Sequence, residues 1–346
     1  MPEIYPLEWS NERLKILDQT KLPKEQAVII ANNYVDVLDS IKSMSIRGGS
    51  VLSIAAAYAL TLAAKSVSTN DVQKFLEYLE NITYEIINSR PSMSSLLKVI
   101  DKIFGKLSSL STVQEMKDFV QSEAEKIHKE DLSINYRIAN FGENLISTGQ
   151  TILTHGNTGA LATSGYGTAL GIIRKAYESG KKINVIVTET RPFLHGARLT
   201  TWELVQLGIP TNLIVDSAAG YMMVNKKIDS IIVGAQRIAK NGDFANEIGT
   251  YSLSVIAQNN NIPFYVAAPT SIIDTESPDG SSFPIEERNR EEVINFNDSE
   301  ISPKAISVSN ITTDITPCEN ISGFITESGI ISVSYTHLTL PTICSV

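Results

Sequence analysis

The feature that most constrains this chain is a change of rhythm near residue 150. Beyond it, short apolar runs at 151–154 (TILT), 183–188 (INVIVT), 211–215 (TNLIV), 230–233 (SIIV) and 263–268 (PFYVAA) alternate with stretches of helical periodicity at 169–179, 196–207, 218–225 and 245–259. Short apolar runs without polar alternation suit strands covered on both faces, and strands separated by helices pair in parallel. The pattern predicts a doubly wound, Rossmann-like sheet, in which ligands sit outside the carboxyl ends of the strands. His155, Glu189, Asp216 and Gly234 each directly follow one of these runs, so one rim collects them.

The first part reads differently. After a short extended start, residues 1–130 are mainly helical. The segment 41–62 (IKSMSIRGGSVLSIAAAYALTL) has a turn at Gly48-Gly49 and then an Ala-rich apolar run, which suits a buried helix starting just past the glycines. Val72, Phe75, Leu76, Leu79, Ile82 and Ile86 recur at helical spacing, with Thr69 or Asn70 as cap. Residues 112–134 form a charged, amphipathic connecting helix. At 346 residues the chain exceeds one small domain. The expected fold class is α/β: a mainly helical N-terminal domain over 1–130 and a Rossmann-like parallel-sheet domain over 131–331.

Composition excludes several roles. Hydrophobic residues make up 42% and charged residues 19%, as in a globular protein with a real core. The net charge of -9 argues against a nucleic-acid partner, which needs a basic stripe, but not against a small anionic ligand held by local charge. No apolar run reaches the roughly 18–20 residues that span a bilayer, so no membrane partner is expected. Residues 1–9 lack a secretory pattern, and a cytoplasmic location follows as the default. Cys318 and Cys344, the two cysteines, offer neither a disulfide framework nor metal-ligand spacing; no metal and no cofactor are expected. Residues 332–342 read SVSYTHLTLPT, for which one choice of codons spells a transposon-end sequencing adapter. The expectation is that 332–346 are translated adapter, so His337 and Cys344 carry no functional argument.

Four long segments carry a resemblance: HGNTGALATSGYGTALGIIR (155–174), TETRPFLHGARLTTWELVQLGIP (188–210), DSIIVGAQRIAKNGDFANEIGTYSL (229–253) and IPFYVAAPTSIIDTESPDGSSFPIEER (262–288). With PLEW (6–9), LDQTKLP (17–23) and SIRGGSVLSIAAAYAL (45–60), they resemble the methylthioribose-1-phosphate isomerase family. That family lies in the larger group that includes the regulatory subunits of translation initiation factor 2B. The likeness runs nearly to residue 331, and NTGALAT and ETRP favour the isomerase branch. It implies an aldose–ketose isomerase of methionine salvage, acting on a small phosphorylated sugar, and a homodimer. Because the anomeric oxygen carries phosphate, the ring does not open freely. An acid near the ring oxygen and a group at the reacting carbon are needed in a dry pocket. In the family a Cys and an Asp fill these positions.

This chain departs from the family at both. Gly156 stands in the Cys slot of the H-C-N-T-G motif and Gln236 in the Asp slot of G-A-D-R-I. Glycine has no side chain to exchange a proton, and glutamine has no titratable one. Two substrate-holding positions also differ: His195 replaces the Gln of Q-G-A-R-L-T, and Glu247, after Asn246, replaces the Lys of A-N-K-I-G-T. Exchanging Lys for Glu turns attraction for phosphate into repulsion, each worth at most about 4 kcal/mol at ~4 Å and an effective dielectric near ~20. Arg47-Gly48-Gly49 matches the family's R-G-A, and an arginine fork beside exposed backbone N–H groups suits phosphate. Arg47 is otherwise a salt-bridged residue before a turn. Arg90 grips the same ligand or serves as a helix C-terminal cation. His155 reads as an orienting or packing residue and Asp243 as a turn or cap residue. His195 is a new acid–base group or a tolerated polar exchange; Glu247 is a new carboxylate or a residue on a helix surface. The chain is thus expected to be an impaired or repurposed isomerase-family member, the alternative being a non-enzymatic phosphosugar- or nucleotide-binding regulator of the initiation-factor 2B type.

Overall fold

The computed structural model describes residues 1–89, 94–285, 287–296 and 299–333, the side chains of 94 and 95 aside. Arg90 and the tail from 334 onward lie outside the described residues. The chain divides into two compact units. One comprises Pro2–Tyr136 with Gly159–Gly167, and the other Arg137–Thr158 with the chain from Thr168 onward. The division was expected near residue 130; the units meet at Tyr136/Arg137, and both positions lie within one long helix, Val113–Gly142.

The N-terminal unit opens with more than a short extended start. Strands β1 (Leu7–Ser10), β2 (Arg13–Leu17) and β3 (Val28–Ala31) form an antiparallel sheet. Helices α1 (Tyr34–Lys42), α2 (Gly49–Ser66), α3 (Val72–Ser89), α4 (Ser94–Leu107) and α5 (Val113–Gly142) follow. Helix α2 corrects the expectation about apolar length. Its 18 residues, with a mean hydropathy of 1.2, are long and apolar enough to cross a membrane. Yet every residue from Val51 to Ala64 is buried, in a core with Leu14, Ile41, Phe75, Leu79 and Ile103. An all-round apolar helix is what the centre of a helical unit requires. Helix α3 is capped by neither Thr69 nor Asn70: Asp71 Oδ1 accepts the N–H of Gln73 and Lys74 at 3.0 and 3.2 Å. At the start of α5, Thr112 and Glu115 bond reciprocally, Oγ1 to N–H and carboxylate to N–H, forming a capping box.

The second unit is the expected parallel sheet. Strands β4 (Thr151–Thr154), β5 (Asn184–Thr188), β6 (Thr211–Ile214), β7 (Ser230–Val233) and β10 (Phe264–Ala267) coincide with the five apolar runs to within one residue at either end. They alternate with α6 (Ala169–Glu178), α7 (Thr201–Gln206), α8 (Ala219–Val224) and α9 (Thr250–Asn259). Strands β15 (Gly323–Thr326) and β16 (Gly329–Ser332) extend the sheet to seven, in the order β16-β15-β10-β7-β4-β5-β6. Only the β15–β16 pair is antiparallel. Ser332 pairs with Gly323, and Val333 donates to the Ser322 carbonyl at 3.2 Å, so the first residues assigned to the tail take part in this sheet. The strand order reverses between β4 and β7, where a doubly wound sheet opens its crevice.

A smaller sheet was not foreseen. Strands β8 (Arg237–Ala239), β9 (Phe244–Glu247), β11 (Ile273–Asp274) and β14 (Thr313–Thr316) pair in the order β11-β8-β9-β14. A short helix α10 (Glu291–Ile294) and the hairpin β12 (Asn295–Phe296) and β13 (Ser299–Glu300) lie between β11 and β14. The helix expected over 245–259 begins only at Thr250, and its first residues are strand β9.

Candidate active site

The site in the second unit is built where β4 ends. Gly156 has φ +81°, which favours glycine, and its backbone is held at both ends. Its N–H donates to Thr190 Oγ1 at 3.0 Å, and its carbonyl accepts the Thr200 hydroxyl at 2.6 Å. His155 is buried and spent structurally: Nδ1 meets the Thr188 hydroxyl at 2.6 Å and Nε2 the Ile248 carbonyl at 2.9 Å. A carbonyl only accepts, so Nε2 carries a proton. The orienting role expected of His155 is what these bonds describe.

The loop after β5 brings the second component. Asp216, just past β6, accepts the N–H of Thr190 and Arg191 at 2.7 and 2.8 Å, which fixes the turn. The chain then enters a π-helical turn, Gly196–Thr200, with His195 at its head. A side chain on Gly196 would strike the Thr188 carbonyl, so glycine lets the turn pack against β5. His195 is 8% exposed, and its ring stacks on Phe193 at 5.0 Å and 15°. The Arg288 guanidinium lies over the Phe193 ring at 5.1 Å.

The third component is Glu247, at the end of strand β9 rather than on a helix surface. Its side chain is 16% exposed. Oε2 pairs with His195 Nδ1 at 2.8 Å, and Oε1 accepts the Asn157 N–H at 3.1 Å. Burial by itself would raise this carboxyl, but the charge and hydrogen bond of His195, the Asn157 N–H and nearby His155 together bring it down to about 2. A Cβ placed on Gly156 would lie 3.0 Å from both Cδ and Oε1 of Glu247. The carboxylate therefore fills the space next to the position where the resemblance implies a thiol. Gly156, His195 and Glu247 form one cluster that the sequence left as three separate positions.

The remaining expected residues fall into two groups. Asn246 is buried and donates its amide to Thr250 Oγ1 at 3.0 Å, while Thr250 donates to the Glu247 carbonyl at 2.6 Å. Gln236 is exposed; its N–H bonds the Ala245 carbonyl at 2.8 Å, and its Oε1 accepts the Thr313 hydroxyl at 3.4 Å. Thr313 is the register partner of Glu247, so Gln236 belongs to the same corner of the small sheet. Arg47, Gly48 and Gly49 lie in the N-terminal unit, at the amino end of α2. Gly48 has φ +112°, and a Cβ there would approach the Ala162 carbonyl oxygen to 2.6 Å, so this turn requires glycine.

Two residues escaped the sequence reading. Asn157, inside the HGNTG motif, keeps both side-chain amide atoms buried without a hydrogen-bond partner, as a group that a polar ligand would satisfy. Asp314 accepts the N–H of Gly249 and Tyr251 at 2.7 and 3.2 Å and so caps α9. Burial holds its carboxyl above the usual range, against the opposing pull of those N–H groups and His155. Motif position could have flagged Asn157; nothing local marks Asp314. Among the described residues, Asp243, Cys318 and Glu319 offer ligand atoms within 4.8 Å of one another. The Asp243 oxygens already accept the N–H of Cys318 and Gly280, each at 3.1 Å, which accounts for the cluster as a loop tie. Asp243 is thus the turn residue expected.

Comparisons with known proteins place this geometry. The initiation factor 2 subunit family matches residues 45–333. A methylthioribose-1-phosphate isomerase of Acetivibrio thermocellus is 47% identical over 332 residues, covering 95% of this chain and 97% of its own. One from Thermoanaerobacter sp. is 48% identical over 338 residues, covering 97% and 98%. Among solved structures, the 5-methylthioribose 1-phosphate isomerase of Pyrococcus horikoshii OT3 superposes with a TM-score of 0.90 at 37% identity, covering 95% of this chain and 92% of that one. The translation initiation factor eIF-2B, subunit delta, from A. fulgidus gives 0.89 at 39%, covering 98% and 99%. The chain belongs to the initiation factor 2 subunit family and, within it, to the branch formed by the methylthioribose-1-phosphate isomerases.

Proposed function

We propose that this chain is a phosphosugar-binding member of the isomerase branch that turns over methylthioribose 1-phosphate at no more than a trace rate. The observation that carries the proposal is the Glu247 carboxylate, 3.0 Å from any Cβ at position 156, in a site with no thiol there and an amide at position 236. One well-placed acid or base contributes about 10²–10⁴-fold. Two that act as a unit lose less than the product of their separate effects, so about 10⁴-fold is expected for the pair. The buried, unpartnered Asn157 amide supports retained binding of a hydroxyl-rich ligand. Within the N-terminal unit, Arg47 with the Gly48 and Gly49 N–H groups remains a candidate anion-holding turn at the amino end of α2.

The test is a turnover assay on methylthioribose 1-phosphate with the purified chain and with the variant Gly156→Cys, Gln236→Asp, Glu247→Lys, His195→Gln. Trace activity in the first and measurable isomerisation in the second are expected. Robust activity in the unmodified chain would sink the proposal. The initiation-factor structure at 39% identity favours a second reading, a non-enzymatic regulator that binds a phosphosugar or nucleotide. Silence from the fourfold variant would point there.

The proposal includes a homodimer. Val205, Leu213, Val215, Tyr221 and Val224 are exposed apolar side chains on successive segments at the β6 edge of the large sheet. Apolar surface gathered at a sheet edge is what a partner covers.

A further inference from the structure

Resting on the phosphosugar reading, we infer that His195, positioned by Glu247, is the proton-transfer group of this site, and that it serves a phosphorylated aldose whose anomeric hydroxyl is free. Three observations converge. Glu247 reaches His195 Nδ1 from a different strand at 2.8 Å, and its other oxygen is fixed by the Asn157 N–H. Stacking on Phe193 fixes the plane of the imidazole. Gly156 removes the side chain that would crowd the carboxylate.

A carboxylate on Nδ1–H sets the tautomer that leaves the Nε2 lone pair as base, and it stabilises the imidazolium once a proton is taken. Several titratable groups on the surrounding segments have partners of their own. His155 is closed by Thr188 and Ile248, Asp216 by the N–H of Thr190 and Arg191, and Asp314 by those of Gly249 and Tyr251. Glu189 stands beside Asp216 and Arg191, whose charges act on it in opposite directions. Arg288 lies over Phe193 and pairs with Glu292.

One imidazole suffices for one class of substrate. A sugar phosphorylated on its anomeric oxygen needs a second acid to open the ring, and Gln236 has no proton to give. A sugar with phosphate on its terminal hydroxyl opens unaided to the aldehyde. Nε2 then removes the C2 proton, and the C–H electron pair forms the C1=C2 bond of an enediolate as the aldehyde oxygen takes the charge. The imidazolium returns its proton to C1, the O2 proton passes through solvent to O1, and the product is the ketose. Atoms and charge balance with no co-reactant.

The experiment uses the full chain and ribose 5-phosphate as probe. Calorimetry reads binding, and proton NMR in D2O reads loss of the C2 proton and growth of ketose. Wild type is expected to bind and exchange. His195→Gln should bind with a similar Kd yet exchange about 10²-fold more slowly or worse. Glu247→Gln should slow exchange and move the acid limb of the pH–rate profile to lower pH, because the imidazolium loses its stabilising carboxylate. A purely structural role for Glu247 would not move that limb. Binding without exchange in wild type, or unchanged exchange in His195→Gln, overturns the inference and leaves sugar binding standing. Failure of the probe to bind at millimolar concentration overturns the inference and the phosphosugar reading together.

Discussion

A Cβ at position 156 would lie 3.0 Å from the Glu247 carboxylate, so substitutions at the two positions should not act independently. Placing Cys at 156 adds a left-handed backbone penalty of about 1–2 kcal/mol and a Cβ pressed against a carboxylate. Gly156→Cys should therefore lower stability, and Glu247→Ala in the same chain should recover the contact part but not the backbone part. A double-mutant cycle by thermal unfolding should show coupling of about 1 kcal/mol or more; additivity would mean that the carboxylate yields freely. Glu247 also gives a pH signature. Its folded pKa, about 2, lies below the ordinary carboxylate range, so its stabilisation is full above the unfolded value and is lost as pH falls from there toward 2. Denaturation of wild type against Glu247→Gln should show the gap between them shrinking from pH 6 to pH 3; a constant gap would mean that the carboxylate is not held by His195.

At the scale of elements, β9 and α9 show where local pattern ends. The segment from 245 to 259 carries helical spacing, yet Phe244–Glu247 pairs with both β8 and β14 and becomes a strand. The turn at Ile248-Gly249 lets the helix begin only at Thr250, with Asp314 from β14 as its cap. Asp314→Ala removes an acceptor for two N–H groups and should cost about 1–2 kcal/mol. It should also raise amide exchange in the first turn of α9, and unchanged protection there would argue against the cap. In the N-terminal unit, Gly48→Ala forces a Cβ against backbone atoms of Ala162 that cannot swing away. Its φ of +112° adds strain, so a loss of about 2 kcal/mol or more is expected in calorimetry.

For the whole molecule, the open β6 edge is the feature that bears on assembly. Sedimentation at micromolar concentration should give a species of two chain masses. Tyr221→Asp with Val224→Asp, at positions 70% and 65% exposed, should shift it to one. A wild-type monomer would remove the dimer from the proposal. The layered order of the second unit was legible because four-residue apolar strands and amphipathic helices are written in local periodicity. Helix α2 was legible as buried for the same reason, although its length also satisfies the composition of a membrane span. The antiparallel sheet of β1 to β3 and the small sheet around β9 were not, since their strands draw stability from partners that a window of sequence does not contain.

The same division holds at the site. The sequence by itself determined that glycine stands at 156, glutamine at 236, histidine at 195 and glutamate at 247. Residue identity requires no fold. Only the tertiary structure decided that these positions belong together. The His195–Glu247 pair joins residues 52 apart, the Asn157–Glu247 bond spans 90, and Asp314 reaches Gly249 across 65. Such contacts arise where crossover connections bring strand ends and adjoining turns to one rim. A carboxylate that looks like a repulsive exposed charge in sequence becomes, with an imidazole at 2.8 Å and an N–H at 3.1 Å, a half-buried and satisfied partner.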